Sequence, residues 1–107
     1  MKAPTKITFF ESLTPLIAAG KKTITIRDKS ESNYEPNSQV EVFTLETGKK
    51  VCDVKIVSVE GLRFDDINQD HAQQEYLPLP KLKQLIRDIY PDDDNLYVIT
   101  FELIHSA

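Results

Sequence analysis

The sequence predicts an α+β fold, a small curled sheet or barrel of about five or six strands with about three short helices over its openings. Three features lead there. Short β-rich runs are separated by two stretches of helical periodicity, one strand-like run changes its apolar phase midway, and no linker or repeat divides the 107 residues. A chain of that length fits one domain, taken as residues 1–107, and buries roughly 60 to 70% of its unfolded surface.

"KITFF" (Lys6 to Phe10) reads as the first strand. Ser12 is placed as a helix N-cap, with Leu13, Leu16 and Ile17 at helical spacing, Pro15 in the tolerant first turn and Gly20 as the stop. "TITIR" (Thr23 to Arg27) alternates, so Ile24 and Ile26 face one side while Thr23, Thr25 and Arg27 face the other. After the polar "SESNYEPNS", "QVEVFTL" and "KVCDVKIVSVE" form a hairpin turning through Thr47, Gly48 and Lys49. The apolar phase Cys52, Val54, Ile56 shifts to Val57 and Val59, which predicts a sheet-curving bulge. A short helix is expected around "NQDHAQQE". A second, in "LPKLKQLIRDIY", starts at Pro80 and stops before Pro91, with Leu79, Leu82, Leu85, Ile86 and Ile89 as its apolar stripe. "LYVITFELI" (Leu96 to Ile104) has the composition of a central strand.

A formal charge of -4 argues against a large basic footprint for nucleic acid, although it leaves room for a local basic pocket. Neither a signal-peptide core nor a membrane-spanning run is present, so the expectation is a cytoplasmic protein without membrane contact. Cys52 stands alone and is read as a small buried hydrophobe. His105 is read as part of a frayed tail.

Within this acidic chain, "KKTITIR" carries three cations in seven residues. Spacing alone leaves two readings open, a solvated edge or one wall of a site. For the second, Lys22 must sit on the turn outside the strand, where its long stem reaches back toward Thr25. His71 and Glu75, at i and i+4, read by themselves as a surface pair, since no third ligand accompanies them for a metal. "YPDDDN" lacks the spacing of a calcium loop and reads as a solvated turn. With no Gly-rich phosphate loop and no G-x-S-x-G elbow, nucleotide hydrolysis and ordinary serine-hydrolase chemistry lose support.

"GKKTITIR" resembles the G-x-K-x-x-E-x-R signature of the ASCH domain family, whose fold is a β-barrel related to the PUA RNA-binding module. Gly20, Lys22 and Arg27 occupy the matching positions, while Thr25 stands where the broader family has glutamate. That departure is similar to the small bacterial subgroup that hydrolyses N(4)-acetylcytidine to cytidine and acetate. The resemblance extends through "ITFF", "SES", "HAQQE", "KLKQLIRDIYP" and "YVITFEL". It implies a PUA-like barrel and an amidohydrolase without metal or cofactor, in which Lys22 is the base, Thr25 the nucleophile and Glu75 the proton donor. Related N(4)-acylated cytidines are further candidate substrates. Arg27 is assigned to substrate binding, through the acyl oxygen or the base carbonyl, on the chemistry of its fork.

The implied chemistry places a demand on Lys22. A lysine at its reference pKa is neutral in only roughly one molecule in 2,500 at pH 7. Lowering that value by about 3 units requires roughly 4 kcal/mol of differential stabilisation of the free amine. Partial burial and repulsion from Arg27 and Lys21 push in that direction, while an ionised Glu75 opposes it, so the scheme works best with that carboxyl desolvated and protonated. The expected partner is a small nucleoside, with no obligate protein partner. The alternative is an RNA-binding module without catalysis, in which Lys21, Lys22, Arg27 and Lys29 hold phosphates and Tyr34 stacks on bases.

Overall fold

The structure, a computed structural model, describes residues 4–104; the position of His105 lies outside the described residues. Five strands form one sheet: β1 (Lys6–Phe9), β2 (Ile24–Arg27), β3 (Gln39–Thr44), β4 (Lys50–Arg63) and β5 (Asn95–Ile104). Their order is β1-β3-β4-β5-β2, parallel between β1 and β3 and antiparallel elsewhere. The helices are α1 (Thr14–Ala18), α2 (Gln69–Glu75) and α3 (Leu79–Ile89). The expected α+β architecture is thus present, with five strands and three short α-helices. No helix among the described residues is long and apolar enough to cross a membrane.

The phase shift in β4 marks a bulge. Ile56 pairs with Phe101 and Ser58 with Thr100, so Val57 is the inserted residue, and it is exposed rather than the first member of a new apolar phase. A second irregularity falls between Val42 and Phe43 of β3 and had no counterpart in the apolar pattern. Bulges bend and twist a strand, and two of them curl this sheet. The curl does not close into a ladder, because β1 and β2 remain the two edges of the sheet. The barrel is therefore barrel-like rather than sealed. A side chain bridges the edges instead: Arg27 of β2 donates from Nη2 to the Thr8 carbonyl of β1 at 2.7 Å.

The core has two parts. One comprises Ile7, Phe9, Ile17, Val40, Val42, Val54, Ile56, Ile99 and Phe101, with Cys52 half-buried at its margin rather than enclosed. Ile26, Ile67, Ala72, Leu82, Ile86 and Leu96 make the other, beneath α2 and α3. β2 lies between them. Thr25 pairs with Ile99 and Arg27 with Tyr97, which puts both on the face of the first cluster, whereas Ile26 belongs to the second. Both faces of β2 are covered, and this overturns the solvated-edge reading: Ile24, Thr25 and Ile26 are all buried.

Ser12 does not cap a helix. The chain leaves β1 through a 3-10 turn, Glu11–Leu13, and α1 starts at Thr14, whose hydroxyl donates to the Glu11 carbonyl at 2.8 Å. The stop at Gly20 is as expected, with φ of 73°. The Lys21 and Lys22 amides both return to the Leu16 carbonyl, at 2.9 and 3.1 Å. These bonds fix the chain reversal that delivers Lys22 into the site. A Cβ at position 20 meets only Leu103 at 3.9 Å, an ordinary contact, so the cost of Gly20→Ala is backbone strain. That substitution should lower unfolding stability by about 1–2 kcal/mol in urea denaturation; an unchanged midpoint would show that the reversal does not depend on the left-handed conformation.

Candidate active site

Lys22 lies two residues before β2, on the turn, as the site reading of the sequence required. The next residue stitches the turn to α2: the Thr23 amide donates to the Gln74 carbonyl at 3.0 Å, while the Thr23 carbonyl accepts from the Phe101 amide at 2.9 Å. Glu75 follows Gln74 and is thereby held against Lys22. The two side chains form an ion pair, and each residue is only 4% exposed. Glu75 Oε1 has no other polar partner among the described residues.

α2 explains why this glutamate turns inward. Asn68 caps its start, with Oδ1 accepting from the Asp70 and His71 amides, and His71 Nδ1 accepts from the Asn68 amide at 3.0 Å. That reciprocal arrangement fixes the helix rotation. Ala72 and Glu75, one turn apart, are the buried residues of α2. The surface-pair reading of His71 and Glu75 therefore fails: His71 serves the helix cap and Glu75 is buried in the site. Tyr76 then ends the helix in a left-handed conformation with φ of 61°.

Lys22, Thr25, Arg27 and Glu75 all line one cleft, together with Phe9. Its free space is about 180 Å³, and Leu85, Ile86 and Ile89 of α3 supply an apolar side. Lys22 Nζ donates to the Ile24 carbonyl at 2.8 Å. The Thr25 hydroxyl oxygen instead accepts from Arg27 Nε at 3.0 Å. The fork of Arg27 is further held by Thr8 O and by Glu31 Oε2, the latter 3.0 Å from Nη1. Both cations sit over the Phe9 ring, with Lys22 Nζ at 5.8 Å and Arg27 Cζ at 5.1 Å from its centroid.

Burial, and after it the Arg27 guanidinium, lower the Lys22 amine to about 7. Lys21 has no part in this. It is exposed and lies over the Tyr76 ring, 5.6 Å from its centroid. Of the residues in the alternative reading, Lys22 is buried against Glu75 and the half-buried Tyr34 packs on the core with its hydroxyl donating to Lys6 O, while Lys21 and Lys29 are exposed. Sequence reasoning missed Phe9, Glu31 and Tyr90 as neighbours of the site. Glu31 had a usable signal, the i,i+4 spacing from Arg27, whereas Tyr90 lies 59 residues from its partner Glu31.

Residues 5–76 match the ASCH domain family. Proteins named N(4)-acetylcytidine amidohydrolase are similar along almost the whole chain: one from Vibrio campbellii is 72% identical, spanning 94% of this chain and 95% of its own length. Another, from Vibrio cholerae, is 64% identical and spans 100% of this chain and 94% of its own. Among solved structures, an ASCH domain from Lactobacillus crispatus superposes with a TM-score of 0.75 at 16% identity, over 92% of this chain and 79% of that one. The ASCH protein of Zymomonas mobilis gives 0.73 at 13% identity, over 91% and 65%. At such identities the likeness is one of fold.

The depressed Lys22 amine has a consequence for stability. Between about pH 7 and the ordinary lysine value of 10.5, the unfolded chain holds a proton that the folded chain has released, so the contribution of Lys22 to stability rises with pH across that window and is lost as pH falls through 7. Urea unfolding at pH 7, 8 and 9 should show this rise in the native protein. The double substitution Lys22→Met/Glu75→Gln should remove it; parallel slopes would contradict the assignment.

Proposed function

Given that the chain belongs to the ASCH domain family, we propose that it hydrolyses N(4)-acetylcytidine to cytidine and acetate. The observation that carries this reading is the buried Lys22–Glu75 pair in a cleft that also presents the Thr25 hydroxyl. Relatives at 64% and 72% identity that bear the amidohydrolase name support it.

Thr25 Oγ1 attacks the acetyl carbon while the neutral Lys22 amine takes its proton. At about 7, that amine is free in about half of the molecules at neutral pH, against roughly one in 2,500 for an exposed lysine. Collapse of the tetrahedral intermediate breaks the bond to N4 of cytosine, and Glu75 supplies the proton that lets the amine leave. The Lys22 ammonium passes its proton to the Glu75 carboxylate, which restores both groups. Water then attacks the acetyl-threonine ester and gives a proton to the freed Lys22 amine, which returns it to Thr25 Oγ1 as the ester C–O bond breaks, and the acetic acid released ionises to acetate. The ion pair and the reactive state, free amine beside protonated carboxyl, differ only by one proton moved between partners. Burial, which penalises two charges, shifts that balance toward the reactive state without a change of pH. Of the five N–H groups of a guanidinium, three are engaged by Thr25, Glu31 and Thr8, leaving two for the acyl oxygen or base carbonyl. Related N(4)-acylated cytidines present the same reacting bond to these groups.

Purified protein should release cytidine from N(4)-acetylcytidine, read by chromatography. Thr25→Ala and Lys22→Met should abolish turnover, and Glu75→Gln should slow it by about 10²-fold or more. Full activity in either of the first two would refute the roles given to them. Because the substrate carries no phosphate, the rate should change little with salt, whereas tight binding of RNA that weakens steeply with salt would favour the RNA-binding module.

A further inference from the structure

Arg27 is held from several directions, and of the groups that hold it the Glu31 carboxylate has no part in the chemistry described so far. Glu31 ends a 3-10 turn, Lys29–Glu31, which Asp28 caps by accepting from the Glu31 amide at 3.2 Å. Its Oε2 receives Arg27 Nη1 at 3.0 Å and also the Tyr90 hydroxyl at 3.1 Å. Tyr90 stands at the C-terminal end of α3. One carboxylate oxygen thus joins β2, the segment that follows it and α3, while Arg27 Nε contacts the Thr25 hydroxyl oxygen at 3.0 Å.

We propose that Glu31 and Tyr90 are positioning residues that act through Arg27, holding its fork on the Thr25 hydroxyl and setting how much of its positive charge is felt by the Lys22 amine. The proposal rests on the hydrolase reading above. Two physical effects follow from the geometry. Donation from Nε occupies one lone pair of Thr25 Oγ1, so the hydroxyl hydrogen cannot point at Arg27 and is left for the base. The Glu31 carboxylate lies against the guanidinium and partly offsets its field, so that neutralising Glu31 exposes Lys22 to more of the Arg27 charge.

The charged and titratable groups around this centre are Glu75 from α2, Arg27 from β2, Glu31 from the following turn and Tyr90 from the end of α3, with Tyr34 near enough to sense both Arg27 and Glu31. Burial first, and then the Glu31 carboxylate, hold the Tyr90 phenol up at about 12, so it remains a hydrogen-bond donor across the working pH range. The Glu31 side chain is 51% exposed, so solvent screens its charge and the effect on Lys22 is modest.

The test is a pH profile of kcat/KM for N(4)-acetylcytidine in the full chain, alongside NMR titration of the Lys22 amine. In Glu31→Gln, the acidic limb and the Lys22 titration should both move down by a few tenths of a pH unit, with kcat reduced by about 10-fold and KM changed much less. Glu31→Asp, which keeps the charge, should return both midpoints toward the native values. Tyr90→Phe should lower kcat by a few-fold with almost no movement of the limb, because it removes a hydrogen bond and no charge. An upward movement in Glu31→Gln, as expected if the site merely loosened and admitted water, overturns the proposal. So does an unmoved amine. If the native protein fails to turn over the nucleoside while the Lys22 titration still shifts downward in Glu31→Gln, the brace stands and the substrate reading falls.

Discussion

A lysine amine removed from water beside a guanidinium is the constraint to which the other features of the site are adapted. Lys22 is 4% exposed, and an ordinary ammonium in that position would be costly. Two arrangements accommodate it: release of the proton, favoured by burial and by Arg27, and pairing with Glu75, which favours its retention. These tendencies oppose each other, and an amine lowered to about 7 by burial and Arg27 is in the range a base needs at neutral pH.

The fold supplies this setting through its topology. β1 and β2 are the outermost strands of a curled sheet, and the gap between them is spanned by the Arg27 side chain rather than by backbone bonds. A fully closed ladder would leave less room for a cleft there. An open edge exposed to water would keep Lys22 charged. α2, anchored to the turn through the Gln74 carbonyl, and α3, with its apolar residues on the cleft, cover the opening and exclude enough water for the electrostatic effects to matter.

Local patterns made much of this readable in the sequence. Gly20 before an alternating run put Lys22 on a turn and Thr25 with Arg27 on one strand face, and the phase change after Ile56 located the bulge. Each is a property of a few neighbouring residues. The burial of β2 on both faces was not legible, because it depends on helices that arrive more than forty residues later in the chain. Ser12 offered cap chemistry that the backbone did not use, since Thr14 and Pro15 start the helix after a tighter turn. Glu75 was identified only through family resemblance, as its spacing from His71 suits a solvated pair equally well; its orientation is set by the Asn68 cap and by Ala72 packing beneath the helix.

The most direct test of the central claim is NMR titration of the Lys22 side chain in the native protein, using a lysine-labelled sample and Lys22→Met to assign the signal. The account predicts a midpoint near 7. A midpoint near 10.5, the ordinary value for an amine in water, would contradict it.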